Sequence, residues 1–169
     1  CGATIVGARL HTGRNDRVMD VFYLQNSDGL AFGRKSDQAI KLIKRRAKDA
    51  ALGKVDALTI SPARASRRAG AIPVKPIVRF PKLATEDVSI IEVVGRDRPG
   101  LLCDIASIFR DNEVEVLSAH IEVVGEKAID AFYVRCRGGD GNLPEKRRKA
   151  LRKILLNVLE VKTSEKKAA

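Results

Sequence analysis

Two runs of the chain, Ala3–Leu24 and Val114–Val134, alternate apolar and polar side chains with the period of two that suits a half-buried strand. Turn-forming residues interrupt each run once, Gly13-Arg14-Asn15-Asp16 in the first and Gly125-Glu126-Lys127 in the second, so each reads as a hairpin. With one extra residue allowed in the first turn, the runs align. Ile5-Val6 falls on Val116-Leu117, Ala8 on Ala119, Leu10 on Ile121, and Asp20-Val21-Phe22-Tyr23 on Asp130-Ala131-Phe132-Tyr133. A repeat of whole elements is hard to obtain by chance from composition. After each hairpin the apolar period lengthens to that of a helix, through Ala39, Ile40, Leu42, Ile43 and Ala47 in one case and Ile154, Leu155, Val158 and Leu159 in the other.

Upstream of the second hairpin, Val88–Gly95 reads as a buried strand and Pro99–Asn112 as a helix. Leu101, Leu102, Ile105, Ala106, Ile108 and Phe109 form the apolar face of that helix, with Asp104, Ser107, Arg110 and Asp111 largely off it. The order strand, helix, strand, strand, helix needs one more strand to make the split βαβ, or ferredoxin-like, α+β unit. The first copy lacks the opening strand and helix. Its closing strand is expected at residues 72–80, after a flexible linker at 59–71. The chain therefore divides into a partial unit at 1–81, a second unit at 82–162 and a loose tail at 163–169.

A length of 169 residues with 44% hydrophobic content suits one moderate core or two small ones. No apolar run approaches the roughly 20 residues of a membrane span, and no leader pattern is present, so a soluble, cytoplasmic protein without a membrane partner is expected. Cys1, Cys103 and Cys136 are odd in number and widely spaced, which supports neither a disulfide framework nor a zinc site; Cys1 is read as a fragment boundary rather than a lipidated terminus.

The net charge of +11 gathers in two clusters, Arg34 to Lys48 and Lys146 to Lys153, both on the helical patterns. They read as solvated faces. Surfaces that grip single-stranded nucleic acid interleave such charge with stacking aromatics, whereas this chain has no Trp, and its aromatic pairs Phe22-Tyr23 and Phe132-Tyr133 lie far from both clusters in sequence. A basic domain that binds nucleic acid or an acidic partner is the runner-up reading, and any nucleic-acid binding is expected to be non-specific and to fade with salt.

The charged corner Arg96-Asp97-Arg98-Pro99-Gly100 falls between strand and helix. The first N–H groups of a helix lack intrahelical partners and carry the positive end of its dipole, so this is a place for a carboxylate. Asp97 is expected to cap the helix, Pro99 to occupy its first turn, Gly100 to allow close backbone approach, and Arg96 and Arg98 to add charge. The same residues also make a serviceable turn with no ligand. His120 alternates with Ser118 and Glu122 and reads as a partly exposed strand histidine, as does His11; Asp20 and Asp130 read as structural carboxylates that pair with a neighbouring strand or turn, and Asn112 as a C-terminal cap.

The segment VVGRDRPGLLCDIASIF with SAHIEVVGEKAIDAFYV closely resembles the second of two ACT domains at the C-terminus of the bacterial PII uridylyltransferase/uridylyl-removing enzymes, and IVGARLHTGRNDRVMDVFYLQNSDGLAF resembles the latter part of the first. The resemblance implies ferredoxin-like βαββαβ ACT domains in tandem, the first incomplete. It also implies regulation by an amino acid, glutamine above all, bound beside the corner by Arg96, Asp97, Arg98, Pro99, Gly100, Leu101 and Leu102. The partners it implies are the remainder of the parent enzyme, the PII protein through that parent, and further ACT units by self-association. Such a parent carries a nucleotidyltransferase domain and a His-Asp hydrolase domain that use divalent metal. This chain has no DxD, adjacent His-Asp pair, P-loop pattern or nucleophile with a recognisable base, so no catalytic residue, metal site or cofactor is assigned to it. A stand-alone ACT-repeat regulator is the alternative within the same resemblance.

Overall fold

A computed structural model describes residues 2–12, 17–26, 28–34, 36–54, 73–82, 87–138 and 141–161. The first hairpin turn, the linker at 59–71 and the tail at 163–169 lie outside the described residues. In chain order the elements are β1 (Thr4–Thr12), β2 (Val18–Gln25), α1 (Asp37–Ala51), β3 (Ile77–Arg79), β4 (Ser89–Arg96), α2 (Leu101–Asp111), β5 (Val114–Val124), β6 (Lys127–Cys136) and α3 (Glu145–Val161). The strands form one sheet in the order β2-β1-β5-β6-β4-β3, with every neighbouring pair antiparallel. Strand β1 pairs with β2 and β5 with β6, the pairings that the alternation of the two runs predicts.

The core lies on one face of β4, β5 and β6. Ile91 and Val93 of β4, Ala119 and Ile121 of β5, and Ala128, Phe132 and Val134 of β6 are buried there. Leu101, Ile105, Ile108 and Phe109 of α2 and Leu151, Leu155 and Leu159 of α3 close over them. Phe109 meets Phe132 edge to face, with ring centroids 5.1 Å apart, an arrangement that favours aromatic pairs beyond their buried area. Ser89 accepts a hydrogen bond from the Leu143 N–H (2.8 Å), tying the start of β4 to the approach to α3. Asn112 ends α2 as expected, its amide donating to the Ile108 carbonyl (2.8 Å).

The halves meet through β1 and β5, with Arg9 opposite His120, Ala8 opposite Ile121 and Leu10 opposite Ala119. Since Ala8 aligns in sequence with Ala119 and Leu10 with Ile121, the junction is close to self-complementary about the Arg9–His120 pair, as in an isologous contact.

One expectation is corrected here. The closing strand read at 72–80 for the first unit is only Ile77–Arg79, and it pairs with β4: Ile77 with Val94, Val78 with Val93 and Arg79 with Glu92. It thus borders the second unit's part of the sheet. Strand β4 is apolar on both faces for most of its length and needs a neighbour on its free edge, while the sequence after α3 is charged and carries no strand pattern. Val78 is buried, and Arg152 of α3 lies over the Phe80 ring at 5.5 Å, so α3 holds this strand down.

Among the described residues no helix is long and apolar enough to cross a membrane.

Candidate functional site

Strand β4 ends at Arg96, and the Asp97 N–H donates to the Glu126 carbonyl (2.8 Å), fastening the corner to the β5–β6 turn. The helix begins two residues later than its sequence suggests. Gly100 is the N-cap residue, in the left-handed region at φ 82°, which a side chain would strain, and no side chain caps the helix. Asp97 does not take the capping role expected of it, because the Pro99-Gly100 turn separates it from the first helical residue, and Pro99 lies in that turn rather than in the helix. The positive end of α2 is therefore left without a side-chain acceptor.

Both arginines of the corner are engaged. Arg98 reaches Asp104 at 2.5 Å and the Val158 carbonyl at 3.5 Å, bridging the start of α2 to the end of α3, and Arg96 stands 3.7 Å from Glu126. Leu101 belongs to the core and Pro99 is exposed. Leu102 is half-buried and turns toward the first hairpin, where with Ile5, Leu10, Phe22, Ala106 and Phe109 it lines an apolar cavity of about 440 Å³. At Gly95 a Cβ would stand 2.6 Å from Leu159 Cδ2, so the glycine lets the end of α3 sit directly on β4 beside the corner.

Asp130 is the residue whose importance sequence reasoning missed. Read as a carboxylate paired with a neighbouring strand or turn, it is instead 2% exposed on the core face of β6, between Val93 of β4 and Ile121 of β5, and neither of its oxygens reaches a full hydrogen bond. Burial pushes its carboxyl up to about 7; the Glu122 backbone N–H offsets part of the rise and the Asp97 charge adds to it. Asp97 is also raised, chiefly by burial, with the Arg98 backbone N–H acting in the opposite sense. A signal was present, since the alternation that points Ala128 and Phe132 inward carries Asp130 with them.

The basic clusters are less free than they look in sequence. Arg147 donates to the Asn112 and Glu113 carbonyls and to Cys136 Sγ, and Arg148 Nε donates to the Leu143 carbonyl (2.6 Å), so part of the second cluster anchors loops. His120 is an exposed strand residue near the Tyr133 ring. Cys136 is a free thiol, and Cys1 lies outside the described residues.

An antiparallel sheet covered on one face by α2 and α3, with a charged corner after its first core strand, defines a class, and the ACT domain family matches residues 89–156. These residues belong to the ACT domain family and take its α+β ferredoxin-like fold. Over 163 residues, 94% of its length, the chain is 40% identical to the bifunctional uridylyltransferase/uridylyl-removing enzyme of Caulobacter vibrioides. It is 36% identical over 158 residues to the enzyme of that name in Phenylobacterium zucineum and 38% identical over 161 residues to that in Novosphingobium aromaticivorans. In each case the chain spans 17% of the relative's length. It is thus a homologue of an ACT-containing portion of these enzymes, which supports a regulatory role. No solved structure matches it.

Proposed function

We propose that the chain is the glutamine-sensing portion of a bifunctional PII uridylyltransferase/uridylyl-removing enzyme and that it binds the amino acid at the β4–α2 corner, through residues Arg96 to Leu102. The observation that carries this reading is the uncapped, positive end of α2 beside the Asp97 carboxyl. A free amino acid brings one group for each, a carboxylate for the first helical N–H groups and an ammonium for the acid. That complementarity accounts for amino acids as a class; the preference for glutamine rests on the family relationship alone.

The corner also touches three separate elements of the fold. Asp97 is bonded to the β5–β6 turn, Arg98 to the end of α3, and Leu102 faces the first hairpin. A ligand that favours one arrangement of these contacts over another has a means of informing distant catalytic domains of the parent, and through them the PII protein, because coupling requires different affinity for two states. In this reading the first hairpin and α1 are the incomplete first ACT unit of a tandem, β3 serves the second unit, and further ACT units associate along the open side of the first. The second basic cluster is partly committed to loop carbonyls, which favours this reading over the nucleic-acid alternative.

Calorimetric titration of the chain with glutamine, glutamate and asparagine tests the site. Glutamine is expected to bind, with Asp97→Ala and Gly100→Val each weakening binding by at least about tenfold, about 1.4 kcal/mol. A folded chain that takes up none of the three would reduce the corner to a turn.

A further inference from the structure

Asp130 is out of place by every ordinary criterion. Buried carboxylates are held by cations or by several hydrogen bonds, since an unpaired charge in an apolar interior is costly. Its neighbours across the sheet are Val93 and Ile121, and its neighbours on its own strand face are Ala128 and Phe132.

The surrounding charges do not neutralise it. On β4, Arg96 stands against Glu126, and Glu92 lies on the opposite face of the sheet by alternation. On β5, His120 and Glu122 point to that opposite face as well. On α2 the nearest acid, Asp104, is held by Arg98, while on α3 Glu160 is exposed, as is Lys127 at the start of β6 itself. Among the described residues the charged group whose field reaches it is Asp97 in the corner, and that is another acid. A buried carboxyl without a full hydrogen bond thus lies on the core face of the sheet opposite Val93 of β4, the strand that runs into the corner, within the influence of the corner acid.

We propose that Asp130 is the inner half of the ligand site, receiving the ammonium of a bound amino acid together with Asp97 while the ligand carboxylate meets the first turn of α2. This rests on the corner being the binding site and adds the residue that selects for a primary amine. A site with acid only at the rim accepts many carboxylates, whereas an acid in the floor demands a cation on the same molecule. The misfit then has a use, because the fold is held with an unsatisfied group that the right ligand alone completes.

Binding moves a proton. Below neutrality the ligand-free carboxyl is mostly protonated, since burial lifts it to about 7. When the ammonium arrives, the Asp130 O–H bond breaks, the carboxylate remains paired with the ammonium, and the proton leaves to buffer. Affinity should therefore fall by up to tenfold for each pH unit below that midpoint, and binding should release up to one proton per ligand.

The experiment is calorimetric titration of the full chain with glutamine and with glutaramic acid, which is glutamine without its α-amine, at pH 6 and pH 8 in two buffers of different ionisation enthalpy. Wild type should prefer glutamine over glutaramic acid by at least tenfold and release a proton at pH 6. Asp130→Asn should lose most of that preference and all of the buffer-dependent heat. The carboxyl carbon resonance of wild-type Asp130, followed against pH with and without glutamine, needs no variant, and its midpoint should drop on binding. Glutamine binding with an unmoved Asp130 midpoint and no proton release would overturn the proposal while leaving the corner as a site. Absence of any amino-acid binding would overturn both.

Discussion

The two hairpins carry nearly the same sequence pattern and meet opposite fates. Phe132 of β6 is 5% exposed under α2, whereas its sequence counterpart Phe22 of β2 is 48% exposed; Asp130 is buried and Asp20 exposed. The helix after the second hairpin buries Leu151, Leu155 and Leu159, and the helix after the first buries none of its residues. The difference lies in the cover. Strand β4 and helix α2 flank and roof the second hairpin, while the described structure places no strand on the outer side of β2 and leaves a cavity above its apolar face. Alternation chooses which face turns inward, and only a neighbour makes that face a core.

The sharpest way to break the comparison is to truncate the paired phenylalanines. Phe132→Ala should cost about 3–5 kcal/mol, through lost transfer energy and the cavity left against Phe109, while Phe22→Ala should cost below about 1 kcal/mol. Urea unfolding of both variants checks this, and equal losses would mean that the first hairpin finds its cover in solution.

A second effect belongs to Asp130. The folded protein holds a proton on Asp130 with a midpoint of about 7 against 3.8 for the ordinary carboxyl, so it binds more protons than the unfolded chain between those values. Its contribution is therefore fully present below the ordinary value and is lost as pH rises to about 7, a change of at most roughly 4 kcal/mol. Asp130→Asn should flatten the fall in melting temperature between pH 5 and pH 8, and a variant that keeps the wild-type slope would remove Asp130 as its source.

The smallest expected effect concerns the open edge. Val18, Met19, Val21, Phe22 and Tyr23 expose apolar surface along β2, and an uncovered edge invites pairing. The chain should associate at high concentration, and Val21→Lys should weaken that association by about tenfold, about 1.4 kcal/mol, in sedimentation or light scattering. A wild type that stays monomeric would remove this part of the reading.

Much of the fold was legible because its signals are local. The periods of Ala3–Leu24, Leu101–Asp111 and Val114–Val134 set hairpins, helix and faces, and the amide of Asn112 closes α2 as read. What failed depends on partners distant in sequence. Nothing in Ile77–Arg79 says which edge it will join; the open edge of β4 decides that. Nothing in Asp97-Arg98-Pro99-Gly100 says whether the helix starts at Pro99 or at Leu101, and the left-handed turn at Gly100 settles it and removes Asp97 from the cap. Leu102 and Ala106 read as part of the core face, yet Leu102 is half-buried and Ala106 exposed because that side of α2 looks over the first hairpin. The inward position of Asp130 was readable, but its lack of partners was not, since an absence of neighbours leaves no pattern.

The place of β3 also bears on the order in which a ribosome delivers the pieces. A βαββαβ unit closed by its own last strand must wait for residues beyond its second helix before the edge of its opening strand is satisfied. Here the strand that borders β4 precedes it in the chain, so this edge can be sealed while β5 is still being synthesised, and the sheet can be roofed as soon as α3 emerges. The exposed lifetime of an apolar strand during synthesis is shortened by a change in the order of elements alone.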